Sequence, residues 1–417
     1  MVGLGLVSLF ADMVYEGARS IIGPYLATLG ASAAVVGAVA GIAEFIGYGL
    51  RVASGYLVQR RGRYWTWTIT GYALTVLSVP LIGTTTAIAA ALLLYGTERL
   101  GKAVRSPAKD TLLSHASTQT GRGSAFGVHQ AMDQVGAVAG PLLLAAVLWQ
   151  NAGNYRLAFG ILVLPGIIVM ALLFWLRRRV PDPAAYEVGA PASAPEVSPQ
   201  PSPQPSPQLP APRAGGSAGG GVSTRPARTA LPPVIWQYIG TVALLSLGIA
   251  SFPLLAYHAQ TQGLLSSAQV PVLFALAMLV DGLSGLLTGR FYDALDERGP
   301  WVLLIVPLAG GLSAIAFTSS ATLIWVGVAI WGAVNGVLDS TVKAVVTQFV
   351  VPGGRSIAFG WLAFARGLGL LLSGVILGVA YDRSITLVIW LILGVNAVAA
   401  MVLAWVLARL PVTGAWA

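Results

Sequence analysis

The chain has 417 residues, of which 56% are hydrophobic and only 9% charged, and its mean hydropathy is +0.77. A soluble domain carries roughly a quarter of its residues as charges, so this composition excludes a water-facing surface and calls for a membrane. The net charge of +9 gathers in short loops such as "QRRGRY" (59–64) and "RRR" (177–179), a mark of membrane topology rather than of nucleic-acid binding.

Crossing about 30 Å of hydrocarbon takes about 20 apolar residues. Windows of that length predict an all-α integral membrane protein with twelve helices. Six fall at 3–28, 33–58, 65–84, 87–106, 123–149 and 157–176. The other six fall at 235–258, 268–290, 300–318, 322–346, 356–380 and 385–409. The first is too long, and is followed by too many others, to be a cleaved leader.

Helix 1 contains "SLFADMVYEGARSIIGPYL" (8–26), with Asp12, Glu16 and Arg19 on one face. Charges inside a bilayer are costly, which makes their positions informative. Glu16 and Arg19 can pair along the helix. Arg keeps its proton and neutralises one carboxylate at a time, leaving the other to take up and release a proton. The alternative is a fixed ion network holding helix 1 against helices 2 and 4.

Helix 2 carries Glu44 and Arg51; helix 4 carries Glu98, Arg99 and Lys102, with Arg105 one turn on. Glu98, Lys102 and Arg105 share a face, where they can form a network or snorkel to the interface. Helix 5 carries Asp133 and then "GAVAGP", in which Gly136 and Gly140 suit close packing and Pro141 suits a bend. Gly37/Gly41 and Gly285/Gly289 repeat the same spacing. In the second half, helix 7 offers only polar residues and a bend at Pro253. Helix 8 has Asp281, helix 10 has Asp339 and Lys343, and helix 11 has Arg366. Helices 3, 6, 9 and 12 have no interior charge, which suits an outer position. Asp133 and Arg366 occupy equivalent places in the two halves with opposite signs, so pairing across the centre is open.

Between helices 6 and 7, residues 181–233 are rich in Pro, Ser, Gly and Ala, with a repeated "SPQP". Such a segment cannot bury enough apolar surface to fold. It reads as a cytoplasmic linker between bundles at 1–180 and 234–417, with a proline-rich docking motif as the alternative. The basic loops place both termini in the cytoplasm and the chain in a bacterial cytoplasmic membrane.

The halves repeat. Gly289 of "GRFYDALDERG" lies 234 positions after Gly55 of "GYLVQRRGR", and Lys343 the same distance after Lys109. "RSIAFG" at 355 follows "RGSAFG" at 122 by 233. One spacing shared by three landmarks indicates duplication of a six-helix unit in parallel order.

On these residues the chain resembles the major facilitator superfamily. Its loop signature between helices 2 and 3 appears through Gly55, Arg60, Gly62 and Arg63, with Gln59 in place of the usual Asp. The second-half loop keeps Gly289 and Asp293, with a longer spacer before Arg298. The resemblance implies that these loops latch the cytoplasmic side. "GAVAGP" resembles the helix 5 signature of antiporters through Gly136, Gly140 and Pro141, although Leu143 and Leu144 stand where glycines are usual. The implied fold is two pseudo-symmetric six-helix bundles, and the implied function is a secondary transporter, a monomer coupling proton entry to efflux of a small molecule. A proton-coupled nutrient importer is one alternative, and a membrane sensor that has lost transport is another. There is no Cys, no shared ligand spacing among the three His, and no phosphate-cradling loop, so neither metal, cofactor nor enzymatic activity is expected.

Overall fold

The computed structural model describes residues 2–117, 122–181, 231–350 and 355–410. The expected linker at 181–233 lies almost wholly outside them. Among the described residues the chain is helical throughout, without strands.

Helices 1 to 5 are Val2–Thr28, Ala33–Arg61, Tyr64–Ile82, Ile88–Ser117 and Arg122–Gln150. Helix 6 runs in two pieces, Tyr155–Ile161 and Val163–Arg179, and helix 7 in two, Pro233–Leu247 and Phe252–Thr261. Helix 8 is Gln269–Ala294. Helix 9 passes from a 3₁₀ turn, Asp296–Leu304, through Ile305–Leu312 to a second one, Ser313–Phe317. Helices 10, 11 and 12 are Ala321–Phe349, Arg355–Arg383 and Ile385–Leu407.

Local chemistry sets many of these limits. Ser32 accepts the Val35 N–H to open helix 2, and Asn154 accepts that of Leu157 to open helix 6. Helix 2 ends at Gly62, whose φ of 62° is a left-handed cap that a side chain would strain. Among the described residues ten helical stretches are long and apolar enough to cross a bilayer. Helices 1 and 4 have the length, at 27 and 30 residues, but carry the densest charge.

The expected bend in helix 7 is a full break at Gly248–Ser251. Three carbonyls freed by it are each met by a side chain from another helix. Asn396 Nδ2 donates to Gly248 O at 2.8 Å, Ser373 Oγ to Ile249 O at 2.6 Å, and Trp331 Nε1 to Ala250 O at 2.8 Å. Without water in the bilayer core, backbone groups need such partners.

An even number of spans brings both chain ends to one face, here the terminal face, with the far face opposite. The halves meet along helices 2 and 11, helices 1 and 7, and helices 5 and 8. Along helices 2 and 11 the backbones touch. A Cβ on Gly41 would lie 2.9 Å from Leu371 Cα, and one on Gly378 3.0 Å from Ala34 Cα. Small residues permit that approach. Outer positions fall as expected: Trp175 of helix 6, Leu308 of helix 9, and Trp390 and Met401 of helix 12 are exposed apolar groups. Helix 3 exposes Leu77 and Leu81 but also turns Tyr72 inward.

Candidate functional site

Helix 1 is buried on nearly every side from Leu4 to Leu26, so its charges must find partners within the protein. Arg19 lies 3.6 Å from Glu16 and 3.0 Å from Glu44 of helix 2. Glu44 is also 3.8 Å from Arg99 of helix 4, and Glu16 is 3.9 Å from Lys102. Arg99 Nε sits 2.8 Å from Glu98, and both side chains are 1% exposed. That contact is poorly directed, since neither Glu98 oxygen makes a hydrogen bond. Tyr rings cover the remaining cationic surface. Lys102 lies 4.3 Å from the Tyr15 ring centroid, and Arg105 lies 4.2 Å from that of Tyr72. Helices 1, 2 and 4 are thus tied by one ion network.

This geometry corrects two expectations from spacing. The competitor of Glu16 for Arg19 is Glu44, not Asp12. Asp12 and Arg19 stand about 10 Å apart along the helix, too far for one guanidinium to serve. Glu98 pairs with Arg99 rather than with Lys102, because helix 1 presents Glu16 to Lys102 instead.

Asp12 stands outside the network. It is 7% exposed, and among the described residues no cation lies within 4 Å of it. Helix 5 closes over it. A Cβ on Gly136 would lie 2.9 Å from Asp12 Cβ, and one on Gly140 2.7 Å from Met13 Cα, so only glycine admits helix 1 at this distance. Pro141 follows within the same helix. One turn nearer the terminal face, His129 Nε2 is a hub, 3.3 Å from Ser8 Oγ, 3.2 Å from Lys109 Nζ and 3.6 Å from Asp133. Ligand spacing alone does not single out this histidine. The signal in the sequence is the i, i+4 placement of His129 and Asp133.

The second half contributes fewer charges. Arg366 pairs with Asp339 within that half, and Asp133 with His129, so the equivalent positions do not pair with each other. Tyr48 of helix 2 lies between the halves, 5.3 Å from the Arg51 guanidinium and 5.1 Å from that of Arg366. Asp281 of helix 8 keeps one buried oxygen without a partner, and the next residue, Gly282, abuts Gln134 of helix 5. The Asp339 side chain is 54% exposed, against 1% for Glu98.

The loop residues sit at the terminal face. Arg60, Arg63 and Asp293 are exposed, and among the described residues no ion pair joins them across the halves. A Cβ on Gly55 would lie 3.8 Å from Pro107 of helix 4, whereas one on Gly289 would meet nothing within 4 Å. Among the described residues no three His, Asp or Glu are grouped to hold a metal.

A family model described as "Major Facilitator Superfamily" matches residues 4–373. An uncharacterized protein of Mycobacterium tuberculosis is 44% identical over 389 residues, covering 92% of this chain and 87% of that protein. An uncharacterized MFS-type transporter of Methanocaldococcus jannaschii is 25% identical over 181 residues, 43% of this chain and 45% of its own. Among solved structures the fold matches the nucleoside transporter NupG with a TM-score of 0.69 at 12% identity, covering 98% of both chains. It also matches the peptide transporter POT in complex with sulfate, with a TM-score of 0.69 at 13% identity, covering 98% of this chain and 93% of that one. With the repeated halves, the buried ion network and the family match in agreement, the chain belongs to the Major Facilitator Superfamily, as an integral membrane transporter rather than an enzyme.

Proposed function

We propose that this transporter couples proton entry to export of a small molecule, with the terminal face in the cytoplasm and Asp12 carrying the proton. Asp12 supports this reading. Its neighbours Glu16, Glu44 and Glu98 each have a cation within 4 Å, whereas Asp12 is also buried and has none among the described residues. A buried carboxylate with no cation in direct contact can exchange a proton without first breaking an ion pair. Opening to water on one side and closing on the other would load and unload it. The arginines at the terminal face support a cytoplasmic position for it. Gly136 lets helix 5 close on Asp12 and Gly140 on Met13 beside it, and the resemblance of Gly136, Gly140 and Pro141 to an antiporter signature favours export. In this reading Glu16, Arg19, Glu44, Glu98 and Arg99 form the rigid wall of a polar transport path between the halves. Arg51, Asp133, Asp281, Asp339 and Arg366 line its open side, with Gly55, Arg60, Gly62, Arg63, Gly289 and Asp293 at its gate.

The test uses proteoliposomes and a substrate found by ligand-induced thermal stabilisation. An acid interior should draw labelled substrate inwards against its gradient, as exchange for protons requires. Movement away from the acid side would mean symport and import. No exchange of a stabilising ligand under any gradient would point to a sensor.

A further inference from the structure

Helix 2 begins at Ala33, at the far face, with its first-turn N–H groups in need of acceptors. Its own half supplies one, since Ser32 Oγ accepts from Val35 N at 3.4 Å. The other two are met from the opposite half. Ala33 N donates to Asp382 Oδ1 and Ala34 N to Asp382 Oδ2, each at 3.0 Å. Helix 2 has no acidic residue in its first turn, so Asp382 is also the anion at the positive end of its dipole. Directly below, Gly37 meets Gly374 and Gly378 meets Ala33 and Ala34, backbone to backbone.

We propose that Asp382, at the end of helix 11, latches the two halves together at the far face by capping helix 2. Opening that face carries helix 11 away from helix 2. The carboxylate then leaves two N–H groups at once, and water must replace both bonds. The cap exists only while the far face is closed, so Asp382 biases the protein towards the far-closed arrangement. The latch goes beyond proton coupling and is independent of it.

The natural absence of Cys allows spin labels to be placed at introduced cysteines. One pair, Thr86→Cys with Ser319→Cys, reports the far face; another, Arg61→Cys with Ala294→Cys, reports the terminal face. Distances are measured without substrate or a pH gradient, so failure of the coupling reading leaves the result intact. Asp382→Ala should raise the far-open population about three- to tenfold, the range of a lost helix cap, and Asp382→Asn should raise it less. Ser32→Ala removes a cap on the same helix from within its own half, and should leave the ratio unchanged. Unchanged distances in Asp382→Ala, or an equal shift in Ser32→Ala, would overturn the latch.

Discussion

Arg19 holds its guanidinium 3.0 Å from the Glu44 carboxylate, tying helix 1 to helix 2 at the level where Glu16 also reaches it. Removing Arg19 leaves two carboxylates facing each other in a largely dry interior. Arg19→Ala should lower stability by about 3 kcal/mol, the range for breaking a buried pair. Glu44→Gln should cost less, because Glu16 stays with Arg19. Thermal unfolding in detergent would check the order, and equal melting of both variants with the parent would show the network to be hydrated.

Asp12→Asn keeps size and hydrogen bonding but cannot titrate. It should remain folded and exchange substrate across the membrane, yet lose concentrative movement driven by a pH gradient. Glu16→Gln should retain most of that movement, since Glu16 is held by Arg19 and Lys102. Full pH-driven transport in Asp12→Asn would move the coupling site to another carboxylate, with Asp133 the first to test.

Gly140 and Gly289 should respond oppositely to a methyl group. At Gly140 the new Cβ would sit 2.7 Å from Met13 Cα, forcing helix 1 off helix 5, so Gly140→Ala should cost about 1–3 kcal/mol. At Gly289 nothing lies within 4 Å, and Gly289→Ala should be neutral or stabilising by about 0.5–1 kcal/mol through helix propensity. Melting temperatures of the two variants decide the matter.

Asn396 is a polar residue in a helix otherwise made for lipid. Asn396→Leu keeps the branched shape, with somewhat larger end groups, but strands the Gly248 carbonyl at the break in helix 7. The expected loss is about 1–3 kcal/mol, the cost of an unmet buried polar group. Trp331→Phe should act similarly through Ala250. A variant of Asn396 melting like the parent would mean that water enters the break.

Much of the fold is legible in the sequence because apolar windows and loop arginines report directly on the bilayer. The apolar window of helix 4 ends near residue 106, whereas the helix runs to Ser117, since its last turns are polar and Pro107 does not stop it. The site is legible one helix at a time. Spacing along helix 1 gives the Glu16–Arg19 pair, because both lie on one rigid rod. It cannot give Arg19–Glu44 or Arg366–Asp339, which depend on how neighbouring helices are rotated and staggered. Asp382 is hidden for the same reason: its partners are 348 and 349 positions away.

The glycine seam between helices 2 and 11 also sets how the transporter should respond to temperature. Parting Gly37 and Gly41 from Gly374 and Gly378 wets mainly peptide groups already bonded within their own helices, and few large apolar side chains. Heat capacity changes follow exposed apolar area, so this separation should carry a small one. The balance between its open and closed forms would then follow a nearly straight van't Hoff line, where an interface of interlocked leucines would give a curved one.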